Sequence, residues 1–338
     1  MPKKFLIVTQ VFPPDPAAVG QYFEEAAREL RSGGVEVEIL TANSGYENPD
    51  ERFASLEERE GVIVRRVPLS SFGKASMPVR IFGQLSFLIQ SILRILFQRG
   101  VTDLLVSTSP PMCAIVAVVV GFLRPSLKVH YWVMDVNPDQ AVALGVFAKS
   151  HPLVLAMDWL NRRVLQRADT VVVLDRFMQD RLEAKTQRTR RPIEVIPPWP
   201  MAEHVEPVLH AENPFRKKQC WQDKFVIMYS GNHSIVHPLD TILEAAEKLR
   251  GDKRFVFAFI GGGNGKAVVD ARISKWAEAY SVSGENEAAL PSVVSLPYQP
   301  LDTIKYSLSA ADIHLVSLGD NMSGIVHPCK LYLSLIHI

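Results

Sequence analysis

Lys4–Leu30 (KFLIVTQVFPPDPAAVGQYFEEAAREL) and Lys224–Leu249 (KFVIMYSGNHSIVHPLDTILEAAEKL) follow one plan. Each opens with a short apolar, β-rich run, Phe5–Thr9 or Phe225–Tyr229. A turn rich in Gly, Pro and Asn then leads into an amphipathic helix. In such a strand-turn-helix unit the free N–H groups of the helix start sit at the C-terminal edge of the strand, where they can meet an anion. Two openers more than two hundred residues apart imply two α/β domains, and two such edges facing each other would make a cleft.

Reading outward from the first opener, alternating periodicities predict strands at Phe5–Gln10, Val35–Thr41, Val62–Val67, Leu104–Ser107, Val129–Met134 and Thr170–Leu174. Helices are predicted at Gln21–Ser32, Val79–Gln98, Pro111–Phe122, His151–Arg167 and Arg176–Ala184. Strands alternating with helices call for a parallel, doubly wound sheet. Val195–Pro200 (VIPPWP) holds too many prolines to continue a central strand. The expected division is a first domain over 1–200, a linker over 201–223 and a second domain over 224–338. The second repeats the scheme with strands at Phe225–Tyr229, Val256–Ile260, Val293–Leu296 and Ile313–Ser317. The fold class is therefore α/β, with two Rossmann-like doubly wound domains.

Composition narrows the function. The chain has 338 residues, 47% apolar and 22% charged, enough to fill two cores. A net charge of +1 gives no bulk reason to expect nucleic acid as a partner. Cys113, Cys220 and Cys329 are widely separated, without the spacing of a disulfide framework or a zinc site. Pro2-Lys3-Lys4 before an apolar run mimics a signal peptide, but Thr9, Gln10 and Pro13-Pro14 interrupt and close that run. It reads as a first strand of a cytoplasmic protein. Gly261-Gly262-Gly263 is a turn where backbone can approach a nucleotide; it is not a dinucleotide fingerprint, because the pattern fails at Lys266.

The succession VTQVFPPDPAAVGQYFEEAARELRSGGVEVEILT, VMDVNPDQAVALG, VVVLDRFMQDRL, VIPPWP, YSGN, FIGGG, LPYQPLDTIKYSLSAADIHLVSL and GIVHPCKLY spans nearly the whole chain. In that order it resembles a GT-B glycosyltransferase of the retaining group called family 4, especially bacterial members that build O-antigen, capsule or exopolysaccharide. The resemblance implies transfer of a sugar from a nucleotide-sugar donor, with retention and without a metal or other cofactor. It implies a polyprenyl-diphosphate-linked saccharide as acceptor, at the inner face of the plasma membrane. It assigns the donor side to Gly231, Asn232, His237, Gly261, Gly262, Gly263, Tyr298 and Lys330, and the acceptor side to Gly20, Asp135 and Asp139. Asp135 and Lys330 are the candidate catalytic groups.

The chain departs from the family pattern in places. The slots that usually carry Arg and, five residues later, Lys hold Asn232 and His237. Lys330, in the HPCK turn, is then the expected cation for the diphosphate, whose charge grows as the glycosidic bond breaks. The family's paired glutamates have no counterpart after Glu287. Leu333–Ile338 (LSLIHI) does not continue as the family does, so the second domain is expected to be incomplete and the sequence truncated.

Several residues keep a second reading. Gly20 could be an ordinary turn at a helix start. Asp135 could cap the turn at Pro138, and His130 could be a strand residue with a satisfied ring. Between Gly61 and Tyr131 the basic residues Arg65, Arg66, Lys74, Arg80, Arg94, Arg99, Arg124 and Lys128 are opposed within the stretch only by Asp103. Together with the apolar helix over 81–97, that pattern fits either a face on anionic lipid or a core helix ringed by solvated arginines. Two alternatives to transfer also stand: a sugar-nucleotide epimerase of the same architecture, and a non-catalytic sugar-nucleotide-binding protein.

Overall fold

The computed structural model describes residues 3–15, 18–45, 50–70, 72, 77–186, 189, 191–199, 206–249, 251–283 and 292–337. Lys74, Pro200 and the first five residues of the expected linker lie outside them. The chain divides into two compact units, residues 1–197 with 323–327, and residues 198–322 with 328–338. Both are three-layered α/β sandwiches built on parallel sheets.

The first unit contains β1 (Lys4–Val8), α1 (Ala18–Ser32), β2 (Glu36–Ala42), β3 (Leu56–Arg59), β4 (Val62–Val67), α2 (Met77–Phe97), β5 (Asp103–Ser107) and α3 (Ala114–Leu123). It continues with β6 (Lys128–Trp132), α4 (Asp139–Ala143), α5 (Pro152–Arg167), β7 (Thr170–Val173), α6 (Arg176–Lys185) and β8 (Ile193–Val195). The strand order is β3-β4-β2-β1-β5-β6-β7-β8, parallel throughout except for β3 against β4. Right-handed crossovers place α1 on one face and α2, α3 and α5 on the other. The central strands are buried on both faces, which is why Leu6, Ile7, Val8, Leu104 and Val106 form an unbroken apolar run rather than an alternating one.

Four elements escape the periodicity reading, for separate reasons. β3 has the sequence LEER, polar along its length because it is an edge strand held by charge: Glu57 lies 2.8 Å from the buried Arg66 of β4. β8 does form, ahead of the prolines at 197 and 198, as the last strand at the other edge, where a missing N–H costs no ladder bond. α4 is a single turn too short to show a period. Within the stretch read as linker, α7 (Pro214–Lys218) is capped by Asn213, and Phe215 and Trp221 join the core of the second unit. α3 begins at Ala114 rather than Pro111, because Pro110 and Pro111 lack N–H groups and residues 110–113 form a turn, with Cys113 N donating to Pro110 O at 2.8 Å.

The second unit contains α7, β9 (Phe225–Ser230), α8 (Asp240–Leu249), β10 (Phe255–Ile260), α9 (Lys266–Ser283), β11 (Val293–Leu296), α10 (Ile304–Leu308), β12 (Ile313–His314) and α11 (Lys330–Ile336). Its four strands run parallel in the order β11-β10-β9-β12. Residues 323–327 leave this unit in chain order and join the first. There Val136 N donates to Ile325 O at 2.8 Å, and Asp135 and Val326 form an antiparallel bridge. His327 Nδ1 lies 2.7 Å from Asp175, the residue whose other oxygen caps α6 at Met178 N.

Part of the expected basic face is consumed by internal pairing. Glu38, buried in β2, accepts from Arg65 Nε at 2.9 Å and Gln98 Nε2 at 2.6 Å, with Lys4 Nζ at 3.3 Å. Arg66 is buried against Glu57, Pro13 O and Ala54 O, and Arg124 donates to Ile95 O, Gln98 O and Val101 O at the end of α2. These carboxylates lie outside the 61–131 stretch, so counting charges inside it overstates the free cations.

Burial pushes the Glu38 carboxyl up, but Arg65, Gln98 and Lys4 outweigh it and leave its pKa below the usual glutamate value. A depressed carboxylate pKa stabilises the fold above the unfolded value near 4.5 and loses that contribution as pH falls through the folded value. Glu38→Gln should therefore cost about 2–3 kcal/mol at pH 7, by denaturant unfolding, with the gap from wild type closing below about pH 4. An equal cost at pH 3 and pH 7 would assign the effect to packing.

Candidate functional site

In the second unit the eight donor-side residues singled out in the sequence come together at the C-terminal edge of its sheet. Parallel strands force this, because each βα turn opens at the same edge. The turn after β9 holds Gly231, Asn232 and His233, and the turn after β10 holds Gly261, Gly262 and Gly263. The two turns touch through their backbones: a Cβ on Gly261 would sit 2.0 Å from Gly231 O, and one on Gly263 would sit 2.1 Å from Asn232 Oδ1. Both glycines also have positive φ, 132° and 112°, so no other residue fits either place. Tyr298, exposed, lies across Gly262 and donates to its carbonyl at 3.5 Å.

Lys330 starts α11 and reaches into this edge. Its Nζ lies 4.0 Å from the centroid of the Tyr229 ring, donates to Asn232 O at 3.2 Å and donates to Tyr229 Oη. Tyr229 Oη in turn donates to Asn232 O at 3.0 Å. The Lys330 side chain passes about 3.7 Å from where a Cβ on Gly231 would be. Among the described residues no carboxylate pairs with Lys330. Burial lowers its pKa from 10.5 to about 8. His237 donates from Nδ1 to Ser317 O at 2.6 Å, and its pKa is depressed by burial first and the Lys330 charge second.

Sequence reasoning missed two side chains here. His233 is buried, with Nδ1 3.0 Å from Gly231 O and its ring edge-on to Tyr229 at 4.9 Å. Its Nε2 has no partner among the described residues. Burial, then the Lys266 charge, pulls its pKa down to about 4, so it is neutral at physiological pH. Lys266 opens α9 and donates to Phe259 O at 2.8 Å and Leu296 O at 3.1 Å, closing the ends of β10 and β11. The one available signal was the cation itself, standing where a fingerprint glycine would be.

The first unit places its candidates at the C-terminal edge of its own sheet. Gly20 lies in α1, and a Cβ there would meet Phe12 Cα at 2.9 Å. A glycine is needed for α1 to pack on the turn after β1, whatever else passes nearby. Asp135 follows β6; its N–H donates to Thr108 Oγ1 at 3.2 Å, next to Met134 N at 3.1 Å. Its carboxyl is pushed up to about 6 by burial. Asp139, in the first turn of α4, is bound by Arg181 at 3.2 Å and by Lys185, which also holds Asp158 at 2.6 Å. Both Asp139 oxygens are thus engaged in tying α4, α5 and α6 together. His130 is a strand residue with a satisfied ring, 3.0 Å from Asp103 and stacked on Phe5.

Two parallel α/β units, each with its turns gathered at the C-terminal sheet edge and one carrying a glycine-lined, cation-bearing edge, define the GT-B architecture of nucleotide-sugar enzymes. The fold compares accordingly with Anabaena Alr3699/HepE, solved with UDP and glucose: TM-score 0.65 at 10% identity, over 99% of this chain and 78% of that one. The glycosyl transferase 4-like domain family matches residues 17–199, more than half of the chain. The chain belongs to that family and is a glycosyltransferase. It is similar to the colanic acid biosynthesis glycosyl transferase WcaI of Escherichia coli K12, 26% identical over 97% of this chain and 80% of WcaI. It is also similar to the glycosyltransferase WbjE of Pseudomonas aeruginosa, 29% identical over 60% of this chain and 48% of WbjE.

Because the unfolded chain holds the Lys330 proton up to 10.5 and the folded chain only to about 8, burying this amine costs stability at neutral pH. That cost is recovered as pH rises from 8 toward 10.5. In NMR of ¹³C-dimethylated lysines one resonance should titrate near 8 and be missing from Lys330→Arg. If every lysine titrates above 9.5, the ammonium is hydrated and the site is more open than described.

Proposed function

We propose that this glycosyltransferase moves a sugar from a nucleoside-diphosphate donor to a lipid-linked saccharide during cell-surface polysaccharide assembly, with retention and without a metal. The observation that carries the reading is the Lys330 ammonium, partly buried over Tyr229 at a glycine-lined edge and unpaired with any described carboxylate. A desolvated cation without a counter-charge is costly unless an anion joins it. A diphosphate is the anion that suits this cation beside glycine turns whose backbone a ligand can approach. Lys330 would hold the leaving diphosphate as its charge grows, in the place of the family's Arg and Lys. The UDP in HepE and the colanic acid pathway in the name of WcaI agree with donor and setting.

On the first unit Asp135 is the group suited to the acceptor. A carboxylate whose pKa is raised to about 6 is ionised at neutral pH, so it can hold the attacking hydroxyl by a hydrogen bond or offset the positive charge that develops on the sugar, while for retention the proton leaves with the departing diphosphate. Asp139, already neutralised by Lys185 and Arg181, is better suited to hold α4 in place for Asp135 than to meet the acceptor itself.

One experiment separates the two roles. In calorimetry with UDP and GDP, Lys330→Ala should weaken binding by about 1.5–3 kcal/mol, the scale of a charge-assisted hydrogen bond. Asp135→Asn should bind as wild type but turn over slowly, and it should lose the rise of kcat/KM with pH through about 6. Unchanged affinity in Lys330→Ala removes the lysine from the donor site. Epimer formation from a UDP-sugar alone, without acceptor, replaces transfer by epimerisation.

A further inference from the structure

The outward side of α2 and the end of α3 carry an apolar stripe. On α2, Phe82, Ile89, Leu93 and Phe97 are 59%, 57%, 50% and 83% exposed, and with Leu85 they repeat every three or four residues as one stripe. The opposite side of the helix, with Phe87, Leu88, Ser91 and Ile95, is buried. At the end of α2 the stripe continues into α3, whose Phe122 is 77% exposed. Arg124 joins the two helix ends through Ile95 O and Gln98 O. An apolar surface of this length on a water-facing helix is unusual.

Charge identifies what covers it. Arg65, Arg66 and Arg124 of the basic stretch are spent on internal partners, so the cations that bear on this face are the exposed Arg94, Arg99 and Lys128, opposed within Gly61–Met134 only by Asp103. That residue is spent on His130 and Thr102. Exposed Arg94 and Arg99 lie at the C-terminal end of α2 and exposed Lys128 begins β6 just after α3, and on the neighbouring α5 the Arg163 guanidinium lies 5.3 Å over the exposed Trp159 ring. A second copy of the chain is a poor occupant, because a two-fold contact on this stripe would set Arg99 and Lys128 near their own images. An anionic bilayer satisfies both features, apolar acyl chains under the stripe and phosphates at the cations. By length and composition Pro78–Phe97 could cross a membrane, but it packs on α3 and β4, and its two ends lead to β4 and β5 of one sheet. Against a bilayer it would lie in the membrane plane rather than cross it.

We infer that the exposed stripe of α2, with Phe122 of α3 and the cations at their C-terminal ends, docks this protein on an anionic lipid surface. Docking rests on the lipid-linked-acceptor reading for its purpose. The stripe also begins at the right edge of the sheet: Gln10, beside the Gly20 turn, donates to Ser70 O at 2.7 Å in the segment leading to α2. Lipid under α2 would therefore lie close to the first unit's acceptor-side edge.

Co-sedimentation with phosphatidylcholine vesicles, alone or with 30% phosphatidylglycerol, tests this. The wild-type chain should bind the anionic vesicles, more weakly as salt rises. Arg99→Gln and Lys128→Gln should each lower binding about fivefold, and Ile89→Asp with Leu93→Asp should abolish it. All four substitutions are at exposed positions, and an unchanged circular dichroism spectrum with an unchanged denaturant-unfolding midpoint confirms folding of the first unit. Failure of the wild-type chain to sediment, or vesicle binding unaffected by the Ile89/Leu93 pair, overturns the proposal. So does a dimer in ultracentrifugation that the pair dissolves. Vesicle binding with transfer only to soluble saccharides keeps the docking face and removes the lipid-linked acceptor; transfer to a polyprenyl-linked acceptor in detergent without vesicle binding does the reverse.

Discussion

A partly buried ammonium with no carboxylate partner among the described residues is the constraint around which the second unit's sheet edge is organised. Lys330 keeps its charge there only because the Tyr229 ring face and the Asn232 carbonyl partly replace water. They do not replace it fully, as its lowered pKa records. The carbonyl is available because the turn after β9 is pressed against the turn after β10, a contact that exists only because Gly261 and Gly263 have no side chains. Glycines, tyrosine and lysine thus form one device. Replacing any of them with a larger or uncharged residue would alter the others, so single substitutions here should not add.

The first unit solves a different problem, holding a carboxyl where burial can raise its pKa without disordering the loop that carries it. Thr108 accepts the backbone N–H of Asp135 from β5's side, while Ile325 accepts the N–H of the next residue, Val136, and Val326 bridges to Asp135 from a segment borrowed from far along the chain. That segment is itself pinned at His327 by Asp175, already committed to capping α6. Three remote pieces of sequence therefore converge on one acid, while its neighbour Asp139 is neutralised by lysine and arginine.

What could be read in advance follows from where the physics is local. Buried parallel strands such as LIV at 6–8 and FVFAFI at 255–260 announce themselves by composition, and helices by period. Turn glycines and the HPCK lysine were visible because the close approach and the cation are written in residue type. Pairing at a distance was not visible. Nothing near Arg65 or Arg66 reveals Glu38 or Glu57, so the basic stretch seemed freer than it is. Nor does anything near His233 announce that its ring would be buried beside two lysines. The excursion of 323–327 into the first unit was equally hidden, since its bonds are made by backbone and by His327 to an aspartate more than 150 residues away.

The central proposal is that this glycosyltransferase keeps the anomeric configuration of the sugar it transfers. The direct measurement is NMR of the product formed from an α-linked UDP- or GDP-sugar and a polyprenyl-diphosphate-linked saccharide. The account predicts a new α-glycosidic linkage and release of UDP or GDP, both abolished or strongly reduced in Asp135→Asn and Lys330→Ala. A β-linked product would contradict retention. Intact donor across a panel of nucleotide sugars, with wild-type affinity for UDP and GDP, would contradict transfer altogether.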